Sequence, residues 1–124
     1  MIDYLGMVRE FHEKYGHYIA DKPERHDTVP PIVHALRQRL IAEEFEEFKD
    51  AEIRLEIADS LADLLYVVFG TCVSYGIPID EVFREVHESN MTKSTALDKY
   101  GKTIKGSEWK PPNLAKVMKL ESAG

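Results

Sequence analysis

The sequence predicts an all-α protein, and three observations support that prediction. Apolar residues recur at the three- and four-residue spacing of an amphipathic helix in four long segments. Proline and glycine stand between these segments, where they start and end helices. No segment shows the convincing alternation of apolar and polar residues that indicates a strand. Because 124 residues is the length of one domain, we expect a single all-α domain over residues 1–124.

The first two helices are separated by a loop that is rich in proline. Apolar positions at helical spacing predict a first helix over residues 3–15. Residues 16–31 contain one glycine and three prolines, which is typical of a loop. A second helix is predicted to begin near Pro31, because proline is favoured in the first turn of a helix, and to run to about Lys49.

Three more helices are predicted in the remainder of the chain. The third spans about residues 53–75 and is ended by Gly76. The fourth covers residues 80–93 and begins with acidic residues, which the helix dipole favours at that end. Residues 94–112 have the glycines and prolines of a loop, and a short last helix is predicted over residues 113–120.

Composition excludes several classes of function. The net charge of −6 argues against a protein that binds nucleic acid or a membrane surface, since both need a basic footprint. The single cysteine, Cys72, excludes an internal disulfide and a cysteine-based zinc site. The first residues do not resemble a signal peptide, and the longest apolar stretch, residues 64–73, is too short to span a bilayer. We therefore expect a cytoplasmic protein without nucleic-acid or membrane partners.

The second helix carries glutamates where apolar residues are expected. In "LIAEEFEEFKD", residues 40–50, four glutamates stand within five positions. A helical wheel places Glu43 and Glu47, with Glu44 slightly to one side, on the continuation of the apolar stripe, while Glu46 falls on the outer side. This pattern indicates that three carboxylates are turned inward.

The third helix repeats this arrangement. Glu56 and Asp63 share one stripe and Asp59 lies beside it, whereas the helix from Leu64 onward is apolar almost all round, which predicts burial. A carboxylate at the edge of such a region is costly unless it is paired, protonated or bound to metal. The short turn makes the two helices antiparallel, so the two carboxylate sets can meet around a hard cation, Mg²⁺ or Mn²⁺.

Positive charge is concentrated late in the chain. Asn90 and Lys93 lie on one face of the predicted fourth helix, and Trp109 stands in a lysine-rich loop that could fold over bound phosphates. Lys93 and Trp109 each have an alternative role, in which Lys93 interacts only with the helix dipole and Trp109 anchors its own loop to the core. The residues predicted to contact a phosphate-bearing ligand are Asn90, Lys93, Lys102, Lys105 and Trp109.

Three motifs resemble those of a known superfamily. "EEFEE" at residues 43–47 fits an EExxE motif, "EIADSLADLLYVVFGTCVSYGI" follows it, and "EVHESNMTK" occupies residues 85–93. Together they resemble the all-α nucleoside triphosphate pyrophosphohydrolases, which are MazG-like or phosphoribosyl-ATP pyrophosphohydrolase-like and related to dimeric dUTPases. The resemblance implies a four-helix-bundle-like MazG-type domain that is completed as a homodimer or homotetramer. It also implies Mg²⁺-dependent hydrolysis of a (d)NTP to the (d)NMP and pyrophosphate, with house-cleaning of dUTP or non-canonical nucleotides as one expected role.

The resemblance further implies roles for individual carboxylates. In the second family motif, ExxD, two registers compete: Glu56 and Asp59 match it literally, whereas the "DLLY" context points to Asp63. The second register puts Ser60 where the family has glutamate, so either Glu56 or Asp59 would supply the missing carboxylate. The first motif would supply Mg²⁺ ligands, one of which could instead be the base that activates water: Glu43, Glu44 and Glu47.

Two other classes of function compete with hydrolysis. A carboxylate-bridged redox metal bundle takes Glu-x-x-His pairs from its helices, and this chain contains no such pair. A non-catalytic helical module that only binds metal is a second alternative. A non-catalytic interaction module, whose acidic patch recruits a basic partner, would turn its glutamates outward and would not depend on Mg²⁺.

Overall fold

The computed structural model describes residues 1–120 and contains five α-helices within them. No β-strand occurs in that range, where Leu97 and Thr103 form one isolated bridge. The predicted all-α class is confirmed, although residues 121–124 of the predicted domain lie outside the described part. The helices are α1 (Tyr4–Tyr15), α2 (Pro31–Asp50), α3 (Arg54–Tyr75), α4 (Ile79–Asn90) and α5 (Leu114–Val117).

The chain divides into two compact units. Met1–Ile77 forms the first unit, in which α3 packs against both α1 and α2. The second unit begins at Pro78 and contains α4 in contact with α5. Two units that are each compact can belong to one domain or to two. The single domain therefore stays a prediction.

Local side-chain and glycine signals set the ends of α1 and α3. The Asp3 carboxylate accepts a hydrogen bond from the Gly6 amide at 2.9 Å and caps the start of α1. Gly16 and Gly76 end α1 and α3 in the left-handed conformation, with φ of 72° and 67°. A Cβ at Gly76 would also overlap the carbonyl of Lys22, so this position requires glycine. The first three predicted helices match the observed ones to within one residue.

The fourth helix is shorter than predicted. It ends at Asn90 rather than at Lys93, because hydroxyl groups redirect the chain. The Thr92 hydroxyl donates to the Ser89 carbonyl at 2.7 Å and accepts from the Lys110 amide at 2.9 Å. The Ser89 hydroxyl donates to the Lys110 carbonyl at 2.6 Å, so the following loop is bonded to the end of α4.

A polar junction lies where the three helices of the first unit meet. His12 of α1 is 2% exposed and Arg37 of α2 is 5% exposed. His12 donates from Nδ1 to the Tyr18 carbonyl at 3.1 Å, which leaves Nε2 unprotonated in the neutral ring. Burial lowers the pKa of His12, and the nearby Arg37 charge lowers it further against the opposing effect of the Tyr18 hydrogen bond.

The burial predicted for α3 from Leu64 onward holds for its last turns only. Residues 72–75 are buried, but Leu65 is 53% exposed and Tyr66 is 40% exposed. The contacts that α1 and α2 make cover only part of this helix within the chain. The expectation was therefore wrong for the middle of α3, because one chain leaves that apolar side without a neighbour.

By length and composition alone, α3 could cross a membrane. It has 22 residues and a window of mean hydropathy 1.5, values that core helices of soluble proteins also reach. However, Glu56, Asp59 and Asp63 occupy its first turns. The remaining apolar part, residues 64–75, is shorter than the about 20 residues that a span requires. The absence of a membrane partner stays a prediction.

Acid should destabilise the fold through His12. Its folded-state pKa lies below the ordinary value of 6.5. Below that pH the unfolded chain binds more protons, so the free energy of unfolding falls as the pH drops, by at most about 1.4 kcal/mol per pH unit. Thermal unfolding from about pH 8 to about pH 5 measures this decline, which we expect to be smaller in His12→Gln and unchanged in the exposed control His26→Gln. Equal declines in all three proteins would contradict this role.

Candidate active site

A cleft with an acidic lining lies between the last turns of α2 and the first turns of α3. The short connection at residues 51–53 makes these helices antiparallel and brings the two segments side by side. The cleft has a volume of about 480 Å³, and six of its eight lining residues are carboxylates. The lining consists of Glu44, Glu47, Asp50, Ala51, Glu56, Asp59, Ser60 and Asp63.

The glutamates of the first motif point in different directions. Glu44 is half-buried and lines the cleft, and Glu47 lines it from a more exposed position. Glu46 faces solvent as predicted and pairs with Lys49 at 3.5 Å. Glu43 is exposed and lies outside the lining, which corrects its predicted inward orientation. The physical reason is that Glu44 itself occupies the centre of the face toward α3, about 100° of helical rotation from Glu43.

Electrostatics identify Glu44 as the point where the negative charges converge. Burial raises the pKa of Glu44, and the charges of Asp63, Glu47, Glu43 and Asp59 raise it further, in that order. Carboxylates from both helices therefore act on one carboxyl group, as the antiparallel pairing predicts. Such an arrangement favours a cation at this place.

The second motif contains one carboxylate that the helix itself uses. Oε1 of Glu56 accepts hydrogen bonds from the amides of Ile53 at 3.3 Å and Glu52 at 3.4 Å, so Glu56 caps the start of α3. The buried Ser60 donates its hydroxyl proton to the carbonyl of Ile57 at 3.0 Å. Asp59 and Asp63 line the cleft; no salt bridge within residues 1–120 involves either carboxylate.

The cleft fits a hard divalent cation by its chemistry. Its polar side chains offer oxygen donors only, with no histidine or cysteine in the lining, and Mg²⁺ and Mn²⁺ prefer such ligands. In the described part of the chain, no three acidic, histidine or cysteine side chains are close enough together to coordinate one ion. Coordination therefore requires the long glutamate and aspartate side chains to rotate toward a common point.

The predicted substrate contacts all belong to the second unit. Asn90 and Lys102 are exposed, and Lys93 follows α4 in a turn. The Lys105 ammonium lies 4.4 Å from the centre of the Trp109 ring, so it covers one face of the indole. Trp109 Nε1 is buried without a hydrogen-bond acceptor among the described residues. Stacking of Trp109 on a base stays a prediction.

Two features of the site were not identified as functional from sequence. Asp50 lines the cleft and stands three residues after Glu47, a helical spacing that gives a recognisable signal. Arg37 stands seven residues before Glu44 and is buried on the same side of α2, which a wheel drawn on apolar residues alone does not show.

Comparison with known proteins identifies the family of the chain that carries this cleft. A family model described as phosphoribosyl-ATP pyrophosphohydrolase matches residues 8–90, which include both carboxylate motifs. No curated protein matches the chain. Because the family match covers more than half of the sequence, the chain belongs to the phosphoribosyl-ATP pyrophosphohydrolase family, whose members are MazG-like all-α hydrolases that act on phosphoric anhydride bonds of nucleotides and generally use divalent metal ions.

Proposed function

We propose that this protein is an Mg²⁺-dependent nucleoside triphosphate pyrophosphohydrolase, which also works with Mn²⁺ and converts a (d)NTP to the (d)NMP and pyrophosphate. The cleft between α2 and α3, with six carboxylates in its lining, is the observation that carries the proposal. dUTP and non-canonical nucleotides are the proposed substrates. The name of the family favours a phosphoribosyl-linked nucleotide as a second candidate. A cytoplasmic location and the absence of nucleic-acid partners stay predictions from composition.

The carboxylates have two tasks in the proposed reaction. The chemistry that a bound divalent cation supplies is neutralisation of the phosphate oxygens and acidification of water. Glu44, Glu47, Asp59 and Asp63 hold the cation between α2 and α3 and thereby fix the position of the triphosphate. One glutamate of the first motif accepts a proton from the attacking water, and Glu43 stays a candidate for that role. Such catalysis depends mainly on positioning and charge stabilisation.

Asp59 is our proposed source of the carboxylate that Ser60 lacks. It acts on the pKa of Glu44, whereas Glu56 has one oxygen committed to two backbone amides at the start of α3. If Glu56 turned away from those amides to bind the metal, the start of α3 would lose its cap. The free energy of unfolding would then fall by about 1 kcal/mol. Asp59 carries no such cost, because it faces the cleft without a role in capping.

The lysine-rich end of the chain supplies the proposed phosphate contacts. Residues 91–120 contain seven lysines and only two acidic residues, the reverse of the acidic balance of the whole chain. A triphosphate that approaches a cleft of carboxylates needs positive charge in addition to the cation. We propose that Asn90, Lys93, Lys102 and Lys105 contact the substrate and that Trp109 stacks on the base.

We further propose that the protein is a homodimer or homotetramer. Leu61, Leu65 and Tyr66 expose apolar surface on α3, and Tyr4 and Met7 expose more on the neighbouring α1. The two surfaces are continuous, because Tyr4 stacks on Phe69 of α3 at 5.7 Å between ring centres. A contiguous apolar surface of this kind is typical of a contact between subunits.

Pyrophosphate release tests the proposed activity. A panel of canonical, deoxy, modified and phosphoribosyl-linked triphosphates is incubated with Mg²⁺ or with chelator. We expect release from one or a few substrates, only with metal, and a loss of at least about 100-fold in kcat/KM for Glu47→Gln. The matched control is Glu46→Gln, which alters the neighbouring, outward carboxylate and should retain activity. Release that survives chelation, or no release from any substrate, would refute the proposal.

Metal affinity distinguishes Asp59 from Glu56. Titration with Mn²⁺, followed by electron paramagnetic resonance, should show binding that is about 10- to 100-fold weaker in Asp59→Asn. Glu56→Gln should retain the affinity and instead reduce the free energy of unfolding by about 0.5–1 kcal/mol, because it weakens the cap of α3. The opposite result, with weak binding only in Glu56→Gln, would transfer the ligand role to Glu56.

Sedimentation equilibrium tests the subunit contact. Leu65→Glu introduces a charge into the exposed apolar side of α3 and should shift the protein toward the monomer. Leu97→Glu is the matched control, because Leu97 is 59% exposed in the second unit, comparable with Leu65. A wild-type protein that sediments as a monomer, or two variants with the same mass as the wild type, would contradict the proposed contact.

A further inference from the structure

We propose that Arg37 and Gly70 form a register clamp, a contact that fixes the position of α2 along α3 and so holds the two carboxylate sets opposite each other. This inference rests on the proposed function, because its purpose is to position the metal ligands. Arg37 touches neither metal nor substrate in this proposal, and it acts as a positioning residue through α2.

The Arg37 guanidinium contacts two successive turns of α3. Nη2 donates to the Val67 carbonyl at 3.0 Å, and Nε donates to the Thr71 hydroxyl at 3.3 Å. That hydroxyl donates in turn to the same Val67 carbonyl at 2.8 Å. Because the guanidinium is planar and its donors have fixed directions, these contacts define one axial position of α2 against α3.

Gly70 makes this close approach possible. A Cβ on Gly70 would overlap Nη2 of Arg37 and would stand 3.1 Å from its Cζ and 3.0 Å from Nε2 of His12. Glycine within a helix is less favourable than alanine, because its backbone loses more conformational freedom on folding. The chain accepts that cost at the point where the guanidinium lies against the α3 backbone, which links the glycine to the arginine.

Stability alone does not account for the buried cation. Arg37 is buried, and no carboxylate pairs with it among the described residues. Burial lowers the pKa of Arg37, which reflects the cost of removing its charge from water. Apolar residues of similar volume often serve stability better than buried charges do, whereas fixed polar contacts can specify register. The clamp therefore fits a role in fixing the position of α2 along α3.

The clamp and the cleft lie along the same contact between α2 and α3. Glu44 follows Arg37 by seven residues, two helical turns on the same side of α2 and about 10 Å along its axis. On the antiparallel α3, Asp63 and Asp59 precede Val67 by one and two turns in the same direction. A slip of one turn would displace Glu44 from Asp63 by about 5.4 Å. Mg²⁺–oxygen bonds of about 2.0–2.1 Å do not tolerate that displacement.

The test compares three clamp variants with one matched control. Gly70→Ala and Arg37→Met remove the close contact, whereas Arg37→Lys retains a donor for the Val67 carbonyl. Val8→Ala creates a small cavity at a buried residue of α1 and lowers thermal stability, and it leaves both Arg37 and Gly70 in place. Each protein is titrated with Mn²⁺ alone by electron paramagnetic resonance, at a temperature below its own unfolding midpoint.

We expect Mn²⁺ affinity to fall at least about 10-fold in Gly70→Ala and Arg37→Met, to recover partly in Arg37→Lys, and to be retained in Val8→Ala. Clamp variants that lose thermal stability but retain wild-type Mn²⁺ affinity would overturn the clamp and leave the proposed function intact. Loss of affinity in Val8→Ala to the same degree would also overturn it, since the effect would then follow stability. A wild-type protein that binds no Mn²⁺ and releases no pyrophosphate would remove both proposals.

Discussion

The mutual repulsion of the carboxylates between α2 and α3 is the constraint on which the rest of this structure depends. Six acidic side chains line one cleft, so their charges repel one another where the two helices are joined by only a short turn. The attraction between the two helices must therefore come from their opposite end, where α2 starts and α3 ends. There α3 is buried at Gly70 and over residues 72–75, and the loop that precedes α2 is bonded to it. The amides of Ala20 and Glu24 donate to the carbonyls of Val73 at 3.1 Å and Tyr75 at 2.8 Å. The helix pair thus has two different ends. One end, the cohesive end, is held by burial and hydrogen bonds, and the other carries the carboxylates that repel one another.

Polar contacts organise the cohesive end as much as apolar ones. The Tyr18 carbonyl accepts from His12 Nδ1 at 3.1 Å and from the Ser74 hydroxyl at 2.9 Å, so one loop residue joins α1 to α3. Further along the same end, His34 of α2 is hydrogen-bonded to the Tyr75 hydroxyl. Buried polar groups that are satisfied in this way favour one arrangement of the helices over alternatives of similar hydrophobic burial. A cleft that must present carboxylates at defined positions benefits from such a specific support.

Sequence was sufficient for the existence of the helices, for the bounds of α1 to α3 and for the existence of the acidic cleft, because these follow from local periodicity and from glycine and proline at helix ends. The last helix spans Leu114–Val117 rather than the predicted residues 113–120. Sequence failed where a distant partner decides the outcome. The end of α4 depends on Ser89 and Thr92 bonding to Lys110, a contact across the loop that periodicity does not contain. The orientation of Glu43 depends on which face of α2 meets α3, and a wheel of apolar residues misplaces that face when a buried arginine belongs to it. Exposure of the middle of α3 likewise depends on neighbours that one chain does not supply.

In the register that takes Asp63 as the aspartate of the second motif, Ser60 shows how the proposed ligand set can absorb a serine in place of a glutamate. A serine in place of glutamate removes one negative charge from the cleft and leaves a small, buried side chain whose proton is already donated to the Ile57 carbonyl. On the proposed ligand set, Asp59 restores that charge from the preceding position, about 100° away around the helix axis. The total charge available to a cation is then preserved, while the direction of one ligand changes and the wall of the cleft beside Ser60 becomes smaller. On this proposal the shape offered to the substrate changes while the attraction for the metal is kept, so the choice of nucleotide can change without a change in the anhydride chemistry.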